Sequence, residues 1–170
     1  KSTYGSILFP PWYMQKASGN VLAASHTTEL AEKWGRKVRN SDNEHSLELG
    51  IALSEDNQAA GRWALASGIE YYAAGVGTGI AGFRADLGII DDPIGSREQA
   101  FSELIREKLW DWYGSTAYTR LAPGGGVLVI ETWWNDDDLA GRVQQLMASE
   151  DPYADQFEVV KYPAISEGYE

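Results

Sequence analysis

Cysteine is absent from the 170-residue chain, which excludes a disulfide framework and any thiolate metal site. Histidine is almost as scarce. His26 and His45 stand apart, without the spacing of a zinc-binding pair. No apolar run approaches the roughly 20 residues that a membrane-spanning helix needs, and no secretory leader pattern is visible. Positive charge is short as well. The formal net charge is -11, which argues against a surface built as a whole to hold nucleic acid, although a local basic patch is compatible with it. No internal repeat and no low-complexity linker divides the chain, so residues 1–170 are expected to form one domain. The composition, 44% hydrophobic and 23% charged, is that of a globular protein able to build one proper core.

The stretch that organises the rest is Ala85-Asp86-Leu87-Gly88-Ile89-Ile90-Asp91-Asp92-Pro93. Leu87 to Ile90 read as a short buried parallel strand, too short for a helix. Two carboxylates follow at once, and Pro93 blocks further ladder pairing. Ligands of open α/β sheets sit at the carboxyl ends of strands. Two acids there suit a Walker B element, the first holding Mg²⁺ through its water shell and the second polarising an attacking water. A solvated Asp-Asp turn is the plainer alternative.

Other units repeat that pattern. The first segment, with Ile7, Leu8 and Phe9, suits a helix that Pro10-Pro11 kinks or ends. Val21 to Ala24 form a second short strand. Ser25 to Thr28 make a polar loop, with Thr27 or Thr28 as helix N-cap. Leu30, Ala31, Trp34 and Val38 then mark a helix through about Asn40. Residues 41 to 60 read as irregular. Arg62 to Ala66 and Glu70 to Ala74 flank a turn and read as a β-hairpin. Gly75 to Arg84, rich in glycine, form a loop that either brings backbone amides to a phosphate or makes a tight crossing. Ser96 and Gln99 make a capping box. The helix they open runs to Tyr113, where Gly114 stops it. Pro123 to Gly126 turn into a third strand, Val127 to Ile130. Asp136-Asp137-Asp138 cap a following helix. A two-metal nuclease reading of that acidic run is disfavoured, because consecutive side chains point in different directions. Phe157 to Tyr162 alternate like a last strand. The alternation of strands and helices predicts an α/β fold, a mostly parallel sheet with helices on both faces.

Lys1-Ser2, opening a helix, matches the end of the pattern G-x-x-x-x-G-K-[ST], in which the lysine reaches the β/γ-phosphates and the hydroxyl binds Mg²⁺. A chance dipeptide is the alternative. Thr132 stands just after the third strand, where a polar side chain can sense a γ-phosphate. Arg84 precedes the acidic strand. An arginine there either reaches a neighbouring subunit's γ-phosphate or pairs with Asp86.

The run Gly79 to Leu87 leading into Ile89-Ile90-Asp91-Asp92-Pro93 resembles the Walker B region of the large terminase subunits of tailed phages. Tyr118 to Gly125 resemble the same family. Thr132-Trp133-Trp134-Asn135-Asp136-Asp137-Asp138-Leu139-Ala140-Gly141-Arg142 resembles its pattern Thr-Arg-Trp-His-acid-Asp-Asp-Leu-Ala-Gly-Arg. Val21 to Arg39 and the closing Pro163 to Glu167 do so too, in order along nearly the whole chain. Trp133 and Asn135 replace the family's Arg and His, Asp92 stands where many members have Glu, and the P-loop glycines are not in the sequence.

The resemblance implies a P-loop ATPase of the additional-strand type, with the chain starting inside Walker A and the first strand missing. It implies ATP and Mg²⁺, with Lys1 and Ser2 on the nucleotide, Ser2 and Asp91 on the metal, and Asp92, Thr132 and Arg84 in catalysis. It implies a motor that drives double-stranded DNA into a procapsid in the host bacterial cytoplasm. The expected partners are the portal protein, the small terminase subunit and further copies in a ring, with no membrane. As given, the chain is expected to bind ATP weakly, to lack ATPase activity and to self-associate. A non-catalytic prophage remnant and another P-loop DNA motor are the alternatives.

Overall fold

A computed structural model describes residues 1–162. The matching of Pro163 to Glu167 therefore lies outside the described residues. The core is one six-stranded sheet in the order β2-β3-β4-β1-β5-β6. Its strands are β1 (Val21–Ser25), β2 (Leu53–Gln58), β3 (Arg62–Leu65), β4 (Glu70–Gly75), β5 (Ala85–Asp91) and β6 (Leu121–Ile130). β4, β1, β5 and β6 run parallel, and β2 and β3 join them antiparallel. Every residue of β1 and all but Asp86 of β5 are buried, as strands covered on both faces require.

Alternate residues feed two cores, one on each face of the sheet. Val21, Ala23, Ala73, Leu87 and Ile89 face Met14, Ala31 and Val38. Those three lie on α1 (Phe9–Ala17) and α2 (Thr28–Glu44). Leu22, Ala24, Ala74 and Ile90 face Leu109, Trp112, Leu139 and Val143, carried by α5 (Glu103–Trp112) and α6 (Leu139–Met147). The expected mostly parallel α/β sheet with helices on both faces is what forms. β5 and β6 are parallel neighbours, with Asp91 opposite Ile130.

Several local expectations are corrected. Pro10-Pro11 neither ends nor breaks the first helical segment. Thr3–Leu8 is π-helical and passes into α1 at the prolines, where the missing N–H groups fall in the first turn of the new helix and cost little. α2 runs past Asn40 to Glu44, its buried face continuing through Ala31, Gly35, Val38 and Asp42. Residues 41–60 are not irregular. They add a short α3 (Ser46–Leu49) and β2, which pairs with β3 to extend the expected hairpin.

The helix expected from Ser96 to Tyr113 is two helices, α4 (Arg97–Phe101) and α5, separated by an extended Ser102. Phe101 and Leu104 are both exposed, so no common buried face welds the two segments. Gly114 does not stop α5. The chain stays helical through a π-turn, Tyr113–Ala117, held by the burial of both end residues. Pro123 to Gly126 are not a turn before β6 but a bulge within it. The pairing moves from Ala85↔Leu121 to Leu87↔Gly126, and Gly124 takes a φ of +82° that favours glycine. Phe157 to Tyr162 form no strand. Val159 and Val160 are both exposed, so neither alternation nor burial supports pairing there. No helix among the described residues is long and apolar enough to cross a membrane.

Candidate functional site

The carboxyl ends of β1, β5 and β6 lie side by side, so the polar residues that follow them share one rim. Asp91 closes β5 and is 2% exposed. Its two oxygens are both used. Ser2 Oγ donates to Oδ1 at 3.0 Å and Ser6 Oγ to Oδ2 at 2.6 Å. Both serines come from the first helical segment, one turn apart, so they face the strand end together. Lys1 Nζ donates to Asp92 Oδ1 at 3.0 Å and to Thr132 Oγ1 at 2.9 Å. Lys1 and Asp92 are each about two-fifths exposed. Their ion pair is therefore screened and contributes little to stability, which leaves the ammonium free to change partner.

The rim thus brings together Lys1, Ser2, Asp91, Asp92 and Thr132, five of the six residues singled out in the sequence. Arg84 lies elsewhere. It precedes β5 at the opposite edge of the sheet, where its carbonyl accepts from Asn20 Nδ2. Seven strand residues separate it from Asp92, roughly 26 Å at the usual strand rise, so it cannot reach the rim of its own chain. The glycine-rich loop splits in the same way. Gly75 ends β4 beside the rim, with its Cα packed on Thr27 and Thr28, whereas Gly82 lies near the far edge.

Three residues at the rim carried no signal as single letters. Ser6 is buried on Asp91. His26 contacts the backbone of Asp92, its N–H and ring Nδ1 lying 3.3 Å and 3.2 Å from the Asp92 carbonyl oxygen. Glu131, between Ile130 and Thr132, has its carboxyl pushed up to about 8, first by burial and then by its hydrogen bond and charge contact with Asp138. Its Oε1 also accepts from the Ala140 N–H at 3.0 Å. Serine spacing, four residues from Ser2 to Ser6, was the one available clue.

The acidic run serves structure, as its sequence position implied. Asp138 caps α6 by accepting from the Gly141 N–H at 3.0 Å. Asp137 pairs with Arg106 and Arg142, and those hydrogen bonds hold its carboxyl down at about 2. Among the described residues no three acids or histidines are grouped as a metal cage.

The donor set still suits one hard cation in company with a phosphate ligand. Mg²⁺ takes oxygen ligands, keeps several waters and needs only one or two carboxylates from protein. A serine hydroxyl and the Asp91 carboxylate 3.0 Å apart provide that, and the Lys1 ammonium beside them provides a counter-charge for phosphate.

A family model described as "Terminase large subunit, T4likevirus-type, N-terminal" matches residues 1–167. Among solved structures the chain is similar to "Crystal structure of the HK97 bacteriophage large terminase", with 19% identity and a TM-score of 0.42. That likeness covers 79% of this chain and 27% of the other. No curated protein matches.

Proposed function

Because the chain belongs to the T4-type terminase large subunits, in their N-terminal part, we propose that it is the ATP-hydrolysing segment of a motor that moves double-stranded viral DNA into a procapsid. The fold is then a P-loop NTPase of the additional-strand type, and the strand β5 with Asp91-Asp92 is its Walker B element. One observation carries this reading: residues 1, 2, 91, 92 and 132, scattered over the sequence, meet at one rim through hydrogen bonds of 2.9–3.0 Å.

In this reading Lys1 binds the β/γ-phosphates of ATP and releases its hold on Asp92 and Thr132. Ser2 and Asp91 would hold Mg²⁺, with Asp91 oriented by Ser6. When bound, Mg²⁺ neutralises phosphate charge and helps align the nucleotide. Asp92 accepts a hydrogen bond from the attacking water and orients it. Thr132, one residue past β6, senses the γ-phosphate and passes its state along β6. Arg84, distant from its own rim, acts in trans on the phosphate of a neighbouring copy in a ring. Portal protein, small subunit and double-stranded DNA are the partners this motor requires, and a bacterial cytoplasm is its place of work.

The test is ATP hydrolysis by the full gene product. Asp92→Asn should bind Mg²⁺-ATP as the parent does and turn it over at least about 100-fold more slowly, the scale on which a misplaced reacting group acts. Normal turnover in Asp92→Asn would remove Asp92 from the chemistry.

A further inference from the structure

Asp92 sits in a backbone conformation that its sequence disfavours twice. Its φ is +44°, in the left-handed region that L-residues with a Cβ seldom enter. It also precedes Pro93, whose ring pushes the preceding residue toward extended backbone. Such outliers persist only where the surroundings over-determine them, and they collect at functional sites.

The surroundings here are specific. The Asp92 N–H donates to the Ile130 carbonyl at 2.7 Å, tying one side of the residue to β6. Its carbonyl faces β1 and accepts twice from one residue, from the His26 N–H at 3.3 Å and from the His26 ring at 3.2 Å. A carbonyl only accepts, so the ring contact places a proton on Nδ1. The ring cannot swing away easily. A Cβ built on Gly95 would lie 2.6 Å from His26 Cδ2 and 2.9 Å from Nε2, so the backbone after Pro93 presses the imidazole from the other side. The His26 ring is thus held between the Asp92 carbonyl and Gly95.

We infer that His26 is a positioning residue: its ring and amide lock the carbonyl of Asp92, which fixes the left-handed turn and aims the Asp92 carboxylate at Lys1. The inference rests on Asp92 being the residue that orients water, the reading proposed above. Without the ring contact, the backbone of Asp92 relaxes toward the extended form that Pro93 favours. Its carboxylate then leaves the position 3.0 Å from Lys1 Nζ, while Asp91, bound by two serines, stays in place.

Two readouts test this. In the 170-residue chain, ¹³C shifts of Asp92 report its backbone conformation without any need for activity. They should move toward extended values in His26→Leu and stay near the parent's in His26→Asn, whose amide N–H can replace Nδ1–H. In the full gene product, His26→Leu should lower kcat for ATP about 10-fold or more, with KM changed less than about 2-fold, and His26→Asn should restore most of the loss. If His26→Leu does not fold, Gly95→Ala displaces the same ring and should give the same two changes. Unchanged Asp92 shifts in these variants would overturn the inference. Lack of ATP turnover by the unaltered protein would instead refute the proposed function, and the shifts would still decide the role of His26.

Discussion

Glu131 occupies a position that makes the rim sensitive to pH. Burial and the nearby Asp138 raise its carboxyl from 4.5 to about 8, so the folded protein keeps a proton that the unfolded chain gives up first. That contribution to stability is complete below about pH 4.5 and is lost as pH rises through 8, by at most about 1.4 kcal/mol per unit. Asp42, buried without a hydrogen-bond partner, shifts the same way, to about 7. We therefore expect Glu131→Gln to remove part of the fall in stability between pH 5 and 8, on the order of 2 kcal/mol, as read from urea midpoints at the two pH values. Identical slopes in parent and variant would contradict the buried, protonated state. That Asp91, Asp92 and Thr132 share one rim was legible in the sequence, because each comes at the end of an apolar run that reads as a parallel strand. Glu131 and His26 were not, since their roles depend on which neighbours burial and strand order bring against them.

At the scale of elements, the join between β4 and α2 sets the rim's third side. A Cβ on Gly75 would stand 2.6 Å from both the N and the Oγ1 of Thr28, atoms of the α2 N-terminus that follow Thr27, its cap. Backbone cannot yield as a side-chain tip does. Gly75→Ala should therefore cost about 1–3 kcal/mol in urea unfolding. Gly79→Ala, with nothing within 4 Å, should stay within about 0.5 kcal/mol. Equal effects would show that the close approach is not real. The parallel strands, the hairpin and the α2 cap could be read from apolar runs and capping residues. The Ser102 break, the glycine bulge of β6 and the failure of residues 157–162 to form a strand could not. Each turns on whether a partner surface exists, which local pattern does not reveal.

For the molecule as a whole, charge and sheet edge pull in different directions. β6 is the last strand of the sheet, and among the described residues nothing pairs with its outer edge. Gly5 lies against Ile130 and Leu128, so the first helical segment covers one face of β6. From it Tyr4, Leu8 and Trp12, four residues apart and all at least half exposed, present an apolar stripe. An open edge beside such a stripe recruits another chain. The net charge of -11 opposes this through repulsion that salt screens. Sedimentation velocity should thus show self-association that grows with concentration and with salt, and a single monomeric species throughout would contradict it. The central claim, that one rim binds nucleotide phosphate and its metal, is tested most directly by titrating the full gene product with ATP in the presence and absence of Mg²⁺. The parent should gain affinity on adding Mg²⁺, and Asp91→Asn should lose that gain while keeping metal-free binding. A full Mg²⁺-dependent gain in Asp91→Asn would show that the metal, and with it the phosphate, lies elsewhere.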